Sequence, residues 1–163
     1  MSHASGRARS IVVATDGSRS STDAITFAVE LAAEHGWQVV FVHVIPTIDV
    51  APAFGFGEVG LAVPHEPSER DHALLTEAAK FAADHGVPAS TALLGGSPTT
   101  EIVDHADRCE ADMIVVGSHG HRRIASAILG SVSLGVLGAS KRPVLVVRGT
   151  SPFHVDVAQQ SVT

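Results

Sequence analysis

Short runs of β-branched and aliphatic residues alternate along this chain with longer stretches of helical apolar spacing, and that alternation limits the folds open to it. Strands separated by helices are joined by crossovers, so the pattern predicts βαβ units and a parallel sheet with helices on both faces. Ile11 to Ala14 reads as the first strand, followed by a helix from about Ser21 to His35 that Gly36 stops. Gln38 to Ile45 is the second strand, ended by Pro46. Glu69 to His85 is a helix stopped by Gly86, and Ala89 to Leu94 is the third strand. Ser97 is expected to cap a helix that opens on Pro98, where a missing N–H costs nothing, and runs to about Cys109. Met113 to Val116 is the fourth strand, and its unbroken apolar character predicts burial on both faces. A last helix, about Ser131 to Ser140, leads to a fifth strand from Pro143 to Arg148.

Composition narrows the classes of partner. At 163 residues the length fits one domain, and 45% apolar residues supply a core. The formal net charge is −6 and no basic patch offsets it, which argues against nucleic acid and anionic membrane as partners. An anionic small ligand remains open, because backbone N–H groups bind phosphate without net positive charge. Cys109 is the single cysteine, so no intramolecular disulfide forms, and no apolar run reaches the roughly 20 residues that span a bilayer. Asp16 and Gly17 interrupt the run that a leader peptide would need after Met1 to Ser10. The expectation is an unexported, cytoplasmic protein.

Two stretches fall outside the alternation. Pro46 to Pro67 holds Pro52, Pro64, Gly55, Gly57 and Gly60 and has no clean period; it reads either as a mobile lid over a ligand or as a passive insertion. The polar tail from residue 150 to 163 reads as frayed. Within the long stretch, Gly55-Phe56-Gly57-Glu58-Val59-Gly60 spells G-x-G-x-x-G but lacks the strand before it and the helix opening at its glycines, so it is no dinucleotide fingerprint. There is no P-loop and no nucleophile elbow. The scattered histidines lack metal-ligand spacing, so no metal site is expected.

The informative segment starts where the fourth strand ends: Gly117-Ser118-His119-Gly120, nine residues, then Gly130-Ser131-Val132-Ser133. The first two glycines allow a tight exit and a close backbone approach to a ligand, and Gly130-Ser131 stands where the last helix begins. A helix start offers unpaired N–H groups and partial positive charge, which suits phosphate, and Ser131 and Ser133 would add hydroxyls. Ordinary turn glycines with Ser131 as a helix cap are the alternative. Arg122 and Arg123 within the loop either face the phosphates or stay solvated, and His119 either donates to phosphate or fills the turn.

The motif Gly117-x-x-Gly120-x9-Gly130-Ser131 resembles the nucleotide-binding signature of the ATP-binding branch of the universal stress protein family. Three further segments are similar to that family's first strand and turn, second strand end and last strand: Ile11 to Ser18, Val42-His43-Val44, and Pro143 to Val147. The resemblance implies a Rossmann-like open five-stranded parallel sheet in the order 3-2-1-4-5, and a homodimer, here through strand 144–147. It also implies ATP as ligand, with Mg²⁺ able to arrive on the phosphates. Ala14, Thr15 and Asp16 would line the nucleoside pocket and Val44 would offer backbone groups to adenine. Val116, Gly117, His119, Gly120, Gly130, Ser131, Val132 and Ser133 would surround the phosphates. Asp16 has a second reading as a turn residue, and it is the only acid expected near the site, so no general base for hydrolysis is evident. The implied role is a stress-response regulator or sensor with a downstream protein partner. An adenylating or ATP-hydrolysing enzyme of the wider adenine-nucleotide α-hydrolase-like group, and an interaction module without nucleotide, remain alternatives.

Overall fold

Hydrophobic burial drives the strands together, and their order follows from which faces the helices cover. The computed structural model describes residues 7–50, 61–63, 65–119 and 129–148. Its elements are β1 (Ser10–Ala14), α1 (Arg19–His35), β2 (Gln38–Pro46), β3 (Ile48–Val50), β4 (Leu61–Val63), α2 (Glu69–Asp84), β5 (Ala89–Gly96), α3 (Pro98–Arg108), β6 (Met113–Gly117), α4 (Ser131–Ala139) and β7 (Val144–Val147). The main sheet runs β5-β2-β1-β6-β7, with every neighbouring pair parallel. Counting only its own strands, that is the order 3-2-1-4-5 that the family resemblance implies.

Side chains alternate between two apolar layers. Ile11, Val13, Val39, Phe41 and Val115 pack against Ala24, Ala28 and Val29 of α1 and Leu75, Ala78 and Ala82 of α2. Val12, Val42, Ile114 and Val116 face Ile102, Val103 and Ala106 of α3 and Val136 of α4. Both faces of β1 and β6 are therefore covered, which is why these strands read as unbroken apolar runs. Near the site α3 and α4 approach so closely that a Cβ on Gly135 would overlap the Thr99 side chain.

Local chemistry sets the helix ends. Ser18 caps α1 by accepting from the Ser21 N–H, so α1 starts two residues earlier than expected. Gly36 ends it in the left-handed conformation, at φ 66°. Ser68 and Asp71 form a reciprocal capping box at the start of α2. Ser97 occupies the cap position of α3, yet its side chain makes no capping bond, a correction to the sequence reading.

The stretch after β2 also departs from the expected structureless loop. Ile48 pairs with Val63 and Val50 with Leu61 in an antiparallel ribbon. Each arm is one apolar–x–apolar triplet, too short to register as a period among the surrounding prolines and glycines. Residues 51–60 and 64 lie outside the described residues, as do the G-x-G-x-x-G decoy and the tail, so the lid and insertion readings both stay open. No helix among the described residues is long and apolar enough to cross a membrane.

Candidate nucleotide site at the carboxyl edge of the sheet

Parallel strands leave all their carboxyl ends on one edge, and a crevice opens where the strand order reverses. Here that point is β1, flanked by β2 on one side and β6 on the other. A cavity of about 780 Å³ lies there. The end of β1 and its turn contribute Ala14, Thr15 and Asp16, and β2 contributes His43 and Val44. The exit of β6 brings Val116, Gly117 and His119. The start of α4 brings Gly130, Ser131, Val132 and Ser133. Residues named from four separated segments thus line one cavity. Gly120, Arg122 and Arg123 lie outside the described residues.

Packing shapes the β6 exit. A Cβ on Gly117 would stand 2.6 Å from the Ser20 carbonyl carbon, so this glycine admits the first turn of α1. The sequence reading assigns its bareness to ligand approach; the neighbour it meets is backbone of the protein itself. The Gly130 N–H donates to the Ser118 carbonyl at 2.7 Å, and Ser133 Oγ donates to the Gly117 carbonyl at 2.6 Å. These two bonds pin the start of α4 to the end of β6 and so close the intervening loop at its base. Ser133 thereby spends its proton inside the protein and holds the turn, where the sequence predicts a donor to phosphate.

Ser131 is exposed and is the first residue of α4; the cap position belongs to Gly130, so Ser131 is not the helix cap. The first intrahelical bond runs from the Leu134 N–H to the Gly130 carbonyl, which leaves the N–H groups of residues 131–133 without intrahelical partners. They sit at the positive end of the helix, on the wall of the cavity. Beside them, Nδ1 of His119 bonds the Ser118 hydroxyl at 2.9 Å, while its Nε2 is buried without a hydrogen-bond partner. A buried nitrogen with no partner is costly unless something else meets it.

The same cavity also holds an acid that local sequence did not single out. Asp16 accepts from the Ser18 N–H at 2.9 Å and so shapes its own turn while lining the cavity. It is not the only acid there: Asp71, at the start of α2, lines the same cavity. Asp71 Oδ2 accepts from the Ser68 hydroxyl at 2.6 Å and the Ser68 N–H at 2.8 Å, and Oδ1 lies 2.9 Å from His43 Nε2. The Ser68 bonds, then His43, hold its carboxyl well below the usual carboxylate range. The signal that could have found Asp71 is Ser68-x-x-Asp71 ahead of an apolar run, a capping-box spacing.

An open, doubly wound parallel sheet with a ligand-sized cavity at its switch point, faced by a helix start, defines a Rossmann-like α/β protein. The chain belongs to the universal stress protein family, whose model matches residues 7–148. It is 34% identical to universal stress protein MJ0531 of Methanocaldococcus jannaschii, over 86% of this chain and 82% of that one. It is 35% identical to universal stress protein YxiE of Bacillus subtilis, over 85% and 97% respectively. Among solved structures it is similar to a universal stress protein in complex with cAMP. The TM-score is 0.64 and the identity 27%, and the match covers 89% of this chain and all of the other.

Proposed function

We propose that this protein binds ATP at the switch-point cavity and acts as a stress-response regulator or sensor. One observation carries the reading: the start of α4, whose first N–H groups lack intrahelical partners, and His119 line the same cavity. N–H groups free of intrahelical bonds at a helix start suit an anion, and phosphate is the anion that helix starts bind best in folds of this kind. The adenine and ribose would lie toward Val44, Ala14, Thr15 and Asp16, the β1 and β2 side of the cavity, with Mg²⁺ arriving on the phosphates. The cAMP complex of a relative supports an adenine nucleotide as the class of ligand.

We also propose that the working form is a homodimer joined through β7. That strand is an edge of the sheet, apolar throughout, and only half-buried. The helices packed against it expose Phe27, Leu134 and Leu137. An apolar edge of this kind invites pairing with a second copy.

The nucleotide is tested by heat-denaturing purified protein and resolving the supernatant by ion exchange. ATP or ADP near one per chain is expected; AMP or cAMP alone would replace the triphosphate reading. No nucleotide, together with no calorimetric response to added ATP, would overturn it.

A further inference from the structure

His43 stands on β2 with its ring almost wholly buried, at 8% exposure, on the sheet face that packs against α2. Its Nδ1 lies 2.7 Å from the Thr15 carbonyl oxygen and its Nε2 lies 2.9 Å from Asp71 Oδ1. A carbonyl oxygen only accepts, and an ionised carboxylate only accepts, so both ring nitrogens must donate. A neutral imidazole has a single N–H; this arrangement is satisfied by the imidazolium alone. We propose that His43 is a positioning residue of the nucleotide site: doubly protonated, it holds the Thr15 carbonyl and with it the Thr15–Asp16 wall, so that nucleotide affinity depends on pH. The inference rests on the adenine-nucleotide reading above.

The physical chain is short. Asp71 is itself fixed by the Ser68 capping box, so the His43 ring is anchored to the start of α2 and reaches across to the end of β1. The next residue along the chain from that grip is Asp16, on the cavity wall. When the ring loses one proton, a lone pair turns toward either the Thr15 oxygen or the Asp71 carboxylate, and one of the two bonds becomes a repulsion. The Thr15 carbonyl then loses its tie to α2, while the Thr15 N–H stays bonded to the Val42 carbonyl. Among the described residues, the other titratable side chains lining the cavity are Asp16, His65, Arg70 and His119. Neither β1 nor β5, the strands flanking β2, carries a titratable side chain.

Replacing Asp71 by Asn separates this role from mere packing. The side-chain amide introduced by Asp71→Asn would donate to a neutral ring at Nε2 while Nδ1–H still holds Thr15, so the geometry survives deprotonation. ATP affinity is measured by calorimetry at about pH 5.5 and 8, the range in which histidine titrates, in the parent, Asp71→Asn and His43→Phe. The ratio of parent to Asp71→Asn cancels the ionisation of ATP and of His65 and His119. The expected result is about a tenfold weakening of the parent relative to Asp71→Asn as pH rises, the loss of roughly one charge-assisted hydrogen bond. His43→Phe should bind weakly at both pH values. Nitrogen-15 spectra of the nucleotide-free parent should show both His43 ring nitrogens protonated at the lower pH. A neutral His43 ring there, or a parent-to-variant ratio that does not move with pH, overturns the inference alone. A parent that binds no adenine nucleotide at either pH overturns the nucleotide reading and this inference together.

Discussion

Gly117 and Ser20 touch through their backbones: a Cβ built on the glycine would lie 2.6 Å from the Ser20 carbonyl carbon and 2.7 Å from its oxygen. Neither atom sits on a flexible side chain, so the first turn of α1 would have to move. Gly117→Ala is expected to destabilise the protein by about 1–3 kcal/mol, the usual cost of overpacking a close contact. Urea unfolding measures it. A stability equal to the parent's would mean that α1 yields freely and that the glycine serves something other than packing.

Ser131 and Ser133 should separate cleanly. Ser133→Ala leaves the Gly117 carbonyl short of its buried partner, and a loss of about 1–3 kcal/mol in stability is expected. Ser131 is exposed and is not the helix cap, so Ser131→Ala should alter stability by less than about 0.5 kcal/mol. If its hydroxyl meets phosphate, ATP affinity in that variant falls roughly ten- to hundredfold. Calorimetry beside urea melts reads both quantities, and unchanged affinity in Ser131→Ala would remove that hydroxyl from the site.

Asp71 gives an acid signature. The Ser68 hydroxyl and N–H, followed by His43, depress its carboxyl in the folded state. A depressed carboxyl stabilises the fold above the unfolded value, near pH 4, and that contribution fades as pH falls through the folded value. The parent should therefore lose stability more steeply than Asp71→Asn below about pH 4. Urea midpoints collected down the acid limb compare the two slopes; parallel limbs would show that Asp71 is no better stabilised in the folded chain than in the unfolded one.

The dimer is testable at its edge. Val146→Lys places a charge within β7, and Phe27→Glu places one on the exposed face of α1 beside Val147. Light scattering should give the parent twice the chain mass and shift both variants toward a single chain, with circular dichroism unchanged. A parent that already runs as a single chain would refute pairing through β7.

Much of this molecule is readable one segment at a time. The five main strands, the four helices and the Gly36 stop follow from apolar period and turn chemistry, because burial on two faces and a left-handed helix end are demanded by residues close in sequence. The spaced glycines from Gly117 to Gly130 are equally local, which is why the cavity wall they form could be named. Three things could not be read this way. The β3–β4 ribbon depends on pairing across a long intervening stretch, and three-residue arms carry too little pattern to announce it. Ser133 turns its hydroxyl back to Gly117 because α4 docks on β6, a choice that helix packing makes. His43 meets Asp71, 28 residues further along, only after α2 has settled on the sheet. Sequence by itself determined the main strands, the helices and where the glycine loop leaves the sheet. Tertiary structure decided which polar atoms meet, because hydrogen-bond partners distant in the chain are selected by packing and not by period.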